Sequence, residues 1–348
     1  AFTILIVYCV IAGWVLQYLH SAIVSGFVNV DGLIANQQFE ALLNDNSTMY
    51  FWTLLSLLIT GSIIYAGVQK GIERAVVILM PMLFILLLVL VIYNMVAGGF
   101  KEALHYLFAA DFSKIDGSVF LAAMGQAFFS IGVGMAAMMT YGAYLPQSIS
   151  IPRSVLLIIF ADTVVALLAG LVIFPAVFGN GLDPAGGPGL IFKTLPVAFA
   201  NMPGGPIVSV LFFLLLSVAA ITSMVGLIEP LTAWLEEHKG FARHKSALLL
   251  LSVVAVLSCF SMLGYNHLSA YQWVGKDING VLDYFSNQIL LPLGGLLIAL
   301  FVGWRLDRNI SQTQLGLGDG LLFKGWWWLI RYLVPVAVAV VFGLGLFQ

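Results

Sequence analysis

One carboxylate in a long apolar run sets the chemistry available to this chain. Asp162 lies in VLLIIFADTVVALLAGLVIFP, with no other charge between Ser154 and Gly179. A charge near the centre of a bilayer costs at least about 2.5–3.5 kcal/mol and marks a pathway by default. A purely structural acid would need a buried basic partner, and no apolar run carries Lys or Arg at comparable depth. Asp162 must therefore be neutralised by a proton or by something bound. Hydroxyls recur at similar depth: Ser130, Thr222 and Ser223, with Ser217 above them and Tyr8 in the first apolar run. Hydroxyls, free carbonyls and a carboxylate are hard oxygen ligands, suited to an alkali cation rather than a soft metal. Each hydroxyl alone has a plainer reading, as a donor to the carbonyl one turn back. Tyr8 alone reads as a packed aromatic with a satisfied hydroxyl.

The run that holds Ser130, residues 118–144, is long enough to cross a bilayer but is broken at its middle. Its sequence SVFLAAMGQAFFSIGVGMAAMMTYGAY places Gly132 and Gly134 two residues apart, each costing roughly 1 kcal/mol in a helix relative to Ala. Glycines two apart do not share one face, so close helix packing explains them poorly. Backbone freed from a helix at membrane depth is tolerated where it lines a cavity or binds something. A discontinuous helix at the midplane is the mark of a secondary transporter's ion and substrate site.

The elements that must position these residues are membrane spans. Of the 348 residues 61% are hydrophobic and 9% charged, against about 25% charged in soluble domains. Runs of about 20 apolar residues predict nine spans, near 1–27, 50–68, 73–97, 118–144, 152–178, 206–236, 245–264, 279–304 and 326–347. Lys and Arg favour cytoplasmic loops. With the first span running outward, ten of the 14 Lys and Arg residues fall inside, and only Lys101, Lys114, Lys193 and Lys276 fall outside. Cys9 and Cys259 both lie in apolar runs and read as small buried hydrophobes. The 179–205 connection is rich in Gly and Pro at its ends and apolar at Leu190–Ala200, which makes it a candidate lid over an outer mouth. The chain begins at Ala1 inside an apolar run, without a basic n-region, so its natural start is expected upstream.

Several motifs, in order, resemble the neurotransmitter:sodium symporter family. GQAFFSIGVGMAAMMTYGAY is similar to that family's sixth helix, AITSMVGLIEPLTAWLEE to its eighth and GIERAVVILMPMLFILL to its fifth. LVIFPAVF resembles the end of the seventh, and GLIFKTLPVAFANMPGG the fourth outer loop. The resemblance runs from the third to the eleventh helix over residues 1–348. It implies an all-α integral membrane protein, a single domain with the inverted-repeat bundle of the bacterial leucine transporter, in the cell membrane (the inner membrane of a bacterium). The first two helices of the family have no counterpart here. The resemblance implies about 100 further residues upstream, two spans and their loops at ~1.5 Å per helical residue, as an N-terminal partner that completes the sites.

Carried over position by position, the resemblance implies a substrate pocket of Tyr8, Phe129, Ser130, Gly132, Met135, Ser223 and Leu227. Tyr8 caps the substrate carboxylate and Phe129 lids the pocket. Gly132 and Met135 stand where the leucine transporter has Ser and Phe, and Leu227 where it has Ile, which implies a wider floor. Sodium site one takes Ser130 and Asp162; sodium site two takes the Ala219 carbonyl, Thr222 and Ser223. Asp283 matches the outer-gate acid and Glu237 the inner-gate acid, where the leucine transporter has Asp. Gln126 and Tyr144 steady the two gates. Asp162 replaces the Asn of most members, and Ala166 the Ser of chloride-dependent ones, so a fixed carboxylate offsets the charge of bound sodium and removes the need for chloride.

The expected activity is sodium-coupled symport of an amino acid, large and hydrophobic or aromatic, by alternating access and without chloride. The protein is expected to be no enzyme, its partners the amino acid and membrane lipid, with no nucleic acid. Gly316-Leu317-Gly318-Asp319 also matches the GxGD signature of intramembrane aspartyl proteases, with Asp162 available as a second acid. Its surroundings, Arg305, Asp307, Arg308, Asn309, Gln312 and Gln314, read as a cytoplasmic loop and count against it. A non-transporting membrane scaffold is the third reading.

Overall fold

A computed structural model describes residues 1–345 apart from 110, 147, 185, 186, 188 and 274, and apart from the side chain of 121. The helices are α1 (Phe2–Ser25), α2 (Gly32–Asn44), α3 (Asn46–Tyr65), α4 (Val68–Ala97), α5 (Phe100–Phe108), α6 (Gly117–Ile131) and α7 (Ala137–Ala143). They continue as α8 (Ile151–Gly179), α9 (Leu190–Asn201), α10 (Gly205–Lys239), α11 (Arg243–Gly264), α12 (Ile278–Arg305), α13 (Arg308–Leu315) and α14 (Leu321–Gly345). Eight of them are long and apolar enough to cross a membrane: α1, α3, α4, α8, α10, α11, α12 and α14. The ninth expected span, 118–144, is the pair α6 and α7, neither of which could cross alone. The last residues of the expected span 326–347, and three positions of the 179–205 connection, lie outside the described residues.

Local chemistry sets where the helices start. Asp31, Asp45, Asp116, Asp277 and Asp307 each accept a backbone N–H in the first turn of α2, α3, α6, α12 and α13. N-terminal amides have no partner within their own helix, and a capping carboxylate satisfies them. The Thr48 hydroxyl, 2.6 Å from Asp45 Oδ2, and the Thr48 amide hold the Asp45 carboxyl below the usual carboxylate range. Most acids of the outer connections are thus caps. In α8, Pro175 cannot donate to the carbonyl one turn back. Asn94 of α4 supplies the missing donor, its amide lying 3.2 Å from the Leu171 oxygen and 2.7 Å from that of Val172.

The core forms where α1 crosses α3 and α10, with α11 closing the group. Leu5, Cys9, Val10 and Trp14 of α1 pack here with Met49 and Leu57 of α3, Phe213 and Met224 of α10, and Val254 of α11. Gly13 permits the tightest approach: a Cβ there would lie 2.8 Å from the Thr53 nitrogen and 3.0 Å from its Cα. Around this core the cover is uneven. In α8, Leu156, Leu157 and Phe160 are exposed on successive faces, and α14 is bare along Leu333, Val336 and Val340. Those faces are apolar enough to meet lipid.

Gly13→Val forces two backbones apart, and overpacking of this kind costs about 1–3 kcal/mol. The variant should melt several degrees lower than wild type when unfolding is followed by tryptophan fluorescence in detergent. Gly226, beside which a Cβ would meet nothing, should accept Ala without that loss.

Candidate functional site

The interruption between α6 and α7 spans residues 132–136. Gly132 ends α6 in the left-handed conformation, φ 76°, with its amide donating back to the Phe128 and Phe129 carbonyls. Gly134, φ 85°, does more than turn the chain. A Cβ there would sit 2.4 Å from the Leu291 oxygen, so the break is pressed against the backbone of α12 at Leu291–Gly295. Ala136 also has positive φ, at 66°, and starts α7. Non-glycine residues pay for that conformation and keep it where surrounding structure enforces it. Met135 is buried within the turn.

Ser130, one residue before α6 ends, donates to Asp162 of α8, with its hydroxyl 2.7 and 2.8 Å from the two carboxylate oxygens. Ser130 is exposed and Asp162 half-buried. No basic side chain within the described residues pairs with Asp162. The acid therefore presents its oxygens beside unwound backbone, with one hydroxyl for company.

Across the core, Tyr8 of α1 sets its hydroxyl next to that of Ser223 on α10. Tyr8 and Ala219 line one cavity of about 260 Å³ together with Ile11, Val15 and Leu216. Apart from the Tyr8 hydroxyl its walls are apolar. Thr222 donates to the Val218 carbonyl at 2.9 Å and the Ala219 carbonyl at 3.0 Å, the plain helical pattern, while Ser223 is exposed and Leu227 buried. The described residues thus bring together Ser130 with Asp162, and Tyr8 with Ser223 and Ala219.

The 179–205 connection closes the outer end of that cavity. Gly187, Ile191 and Phe192 are among its walls. Phe192 stacks on Phe39 at 5.5 Å, meets Trp14 and Tyr18 edge-on at 5.7 and 5.0 Å, and gives its carbonyl to the Tyr18 hydroxyl at 3.0 Å. Lys193 reaches Glu40 at 3.3 Å. A second, larger cavity of about 600 Å³ opens between α6, α12 and α14, with Gln126, Phe129, Asn287 and Gln288 on its walls. Asn287 donates to Asp283 at 2.7 Å, and its own carbonyl oxygen is buried without a donor among the described residues. Gln126 shares this cavity with Asn287, and Asn287 in turn holds Asp283.

At the inner end Arg243 is held by two acids other than Glu237. Arg243, at the start of α11, pairs with Glu229 at 2.5 Å and with Glu236 at 3.0 Å, and its Nε donates to the Ile64 carbonyl at 3.0 Å. Tyr144, just past α7, donates to the other oxygen of Glu229 at 2.8 Å. Glu229 is fully buried. Glu237 stands exposed one residue beyond Glu236, with no pair among the described residues. Sequence reasoning passed over Glu229, although an acid followed by Pro230 inside the apolar run LIEPL, 14 residues before an Arg, was a visible signal. Asp319 of the GxGD stretch is 61% exposed and paired with Arg308 at 2.8 Å, so it is no partner for Asp162.

Breaking a buried ion pair from one side costs about 3–5 kcal/mol, because the other charge loses its partner. Glu229→Ala should lower thermal stability by a sizeable part of that range, Glu236 remaining to hold Arg243 in part. Glu237→Ala should stay within about 0.5 kcal/mol of wild type, as exposed substitutions do. Denaturation midpoints of the two variants in one detergent decide between them.

The comparisons agree with this geometry. The sodium:neurotransmitter symporter family matches residues 36–348. An uncharacterized sodium-dependent transporter of Bacillus subtilis (strain 168) is 32% identical over 347 residues, 98% of this chain and 76% of that protein. Another from Haemophilus influenzae is 33% identical over 353 residues, covering 100% of this chain and 77% of its own length. The crystal structure of MhsT in complex with L-phenylalanine superposes with a TM-score of 0.89 at 38% identity, over 98% of this chain and 78% of that one. With the family's model matching residues 36–348 and the bundle closely following MhsT around an interrupted helix, this chain belongs to the sodium:neurotransmitter symporter family.

Proposed function

We propose that this protein moves a large hydrophobic or aromatic amino acid across the cell membrane with sodium, by alternating access and without chloride. The observation that carries the reading is the Ser130–Asp162 pair beside the interrupted turn. Sodium is cargo here. Two carboxylate oxygens and a hydroxyl, next to the backbone of the interrupted turn, are the kind of hard-oxygen set that an alkali cation takes. When the ion arrives, Ser130 turns its proton away and offers a lone pair, and Asp162 compensates the cation's charge in a low-dielectric site. At the second ion position, Thr222 and Ser223 contribute hydroxyl oxygens and Ala219 its carbonyl.

The substrate's polar end and side chain are treated separately. Tyr8, with Ser223 beside it, gives a hydroxyl donor for a carboxylate. The apolar cavity of about 260 Å³ behind it suits a bulky side chain. By the resemblance, Gly132 and Met135 would widen the pocket floor, Met135 being adaptable enough to fit a ring. MhsT, solved with L-phenylalanine, supports the same class. If the ion at Ser130 and Asp162 and the substrate at Tyr8 favour the same arrangement of the helices, each stabilises the state the other prefers, which is what coupling requires. Phe129 and Gln126 border the outer approach, Asp283 sits above it, and Tyr144 ties the inner end of the moving helix to Glu229.

Two measurements test the reading in reconstituted liposomes. Replacing chloride with gluconate should leave sodium-driven uptake unchanged, whereas Asp162→Asn should weaken sodium affinity by about tenfold or more, given a unit charge lost at ligand distance. Adding Ala166→Ser to that variant should restore part of the activity in a chloride-dependent way. A wild-type protein that stops without chloride would overturn the role given to Asp162. In competition against bound substrate, Phe, Tyr or Trp should outrank Gly and Ala; the reverse order would sink the substrate class and leave the ion assignment standing.

A further inference from the structure

The last two spans meet at their cytoplasmic ends through a cation that the protein does not neutralise. Arg331 of α14 is half-buried, and among the described residues no carboxylate pairs with it. Its Nε is buried without an acceptor. Its depth follows from its neighbours. Trp304, the penultimate residue of α12, donates its indole N–H to the Arg331 carbonyl at 3.0 Å. A Cβ on Gly303 would lie 2.9 Å from the Arg331 Cα. Arg331 is therefore level with the end of α12, at the interface rather than at mid-membrane. The sequence places that end on the cytoplasmic side.

The guanidinium is held in place. Its carbon lies 4.7 Å from the centre of the Trp304 ring and 5.7 Å from that of Tyr332. Such cation–π contacts orient an arginine without using up its donors. Both helices also widen to π-turns here, Phe301–Arg305 and Leu329–Leu333, a local geometry often found at functional sites. Two more cations join the patch: Arg305 ends α12, and Lys324 lies seven residues before Arg331, close to two helical turns away on the same side of α14. Both are exposed and unpaired among the described residues. The nearby acids are already occupied. Asp307 caps α13 and Asp319 pairs with Arg308.

What surrounds the cations is amphipathic and then apolar. Trp304, Trp328 and Tyr332 are exposed around Arg331, and Leu333, Val336 and Val340 continue the exposed face of α14 toward mid-membrane. Indole and phenol rings prefer the headgroup level, and aliphatic side chains below them match acyl chains. We propose that this seam binds the headgroup of an anionic phospholipid of the cytoplasmic leaflet, its phosphate on Arg331, Arg305 and Lys324 and its chains along α14. A soluble anion would use the cations and ignore the apolar track. A bidentate guanidinium suits a phosphate in a way a point charge does not.

The test counts lipid on the purified protein. Wild type and variants are reconstituted in nanodiscs of phosphatidylcholine with or without phosphatidylglycerol, and retained lipid is measured by native mass spectrometry beside the melting temperature. Phosphatidylglycerol should be retained by wild type and raise its melting temperature over phosphatidylcholine alone. Arg331→Gln should bind it about fivefold more weakly, the worth of one basic residue at an anionic surface. Arg331→Lys should fall between the two. Should Arg331→Gln fail to fold, the double change Arg305→Gln with Lys324→Gln touches exposed side chains only and should weaken retention further still. Lys70→Gln, on another cytoplasmic connection, should change nothing. Equal retention by wild type and the double variant would overturn the proposal. So would a melting shift of the same size from millimolar glycerol phosphate in phosphatidylcholine, which would identify a soluble-anion site.

Discussion

Inside hydrocarbon a backbone amide or carbonyl has no water to turn to, and among the described residues the turn at 132–136 is where that constraint is relaxed. Residues 132–136 leave the helix, and the structure compensates from three directions. The Gly132 amide folds back onto Phe128 and Phe129. Gly134 lies flat against Leu291–Gly295 of α12. Ser130 and Asp162 bring polar side-chain atoms to the same level from α6 and α8.

The two ends of the route past this turn are closed by different physics. The outer end is a seat of rings: Phe192 fits among Trp14, Tyr18 and Phe39, and the attraction is short-ranged and orientation-dependent. The inner end is ionic, with Tyr144, Glu229, Arg243 and Glu236 joined in one chain of bonds to the end of α3. A buried ion pair is costly to break and stringent in geometry. The inner contact is therefore the more switch-like of the two, since displacing Tyr144 by a single turn would forfeit its bond to Glu229 outright.

Span-level features were legible in the sequence because hydropathy and length leave little freedom there. The interrupted span was legible too, from Gly132 and Gly134. That Gly134 also pays for a close approach to Gly294 and Gly295 was not, because the partner lies about 160 residues away in sequence and only packing pairs them. Depth alone put Ser130, Thr222 and Ser223 level with Asp162, and it was the resemblance that joined Ser130 to it. The partners of Arg243 were harder. Glu229, Glu236 and Glu237 all lie within reach of Arg243 in sequence, and which of them pair with it depends on which face of α10 meets α11, a rotational detail that all-round apolar helices do not encode. The outer acids Asp31, Asp45 and Asp277 are helix caps, a local role the sequence reading did not assign them.

The candidate residues fall on both sides of a mechanical seam. Tyr8, Ala219, Thr222 and Ser223 belong to α1 and α10, which pack into the densest part of the molecule with α3 and α11. Ser130, Gly132 and Asp162 belong to α6 and α8, whose side chains are largely exposed. A cargo bound by one group alone would gain nothing from their relative position. Cargo held by both resists their separation by as much free energy as it would lose when they part. Under the proposed function, dispersing the ligands over these two helix groups would make occupancy and shape a single variable. Asp162 stands on α8, packed on α4 and α5, so an ion held there would take its charge compensation from outside the core.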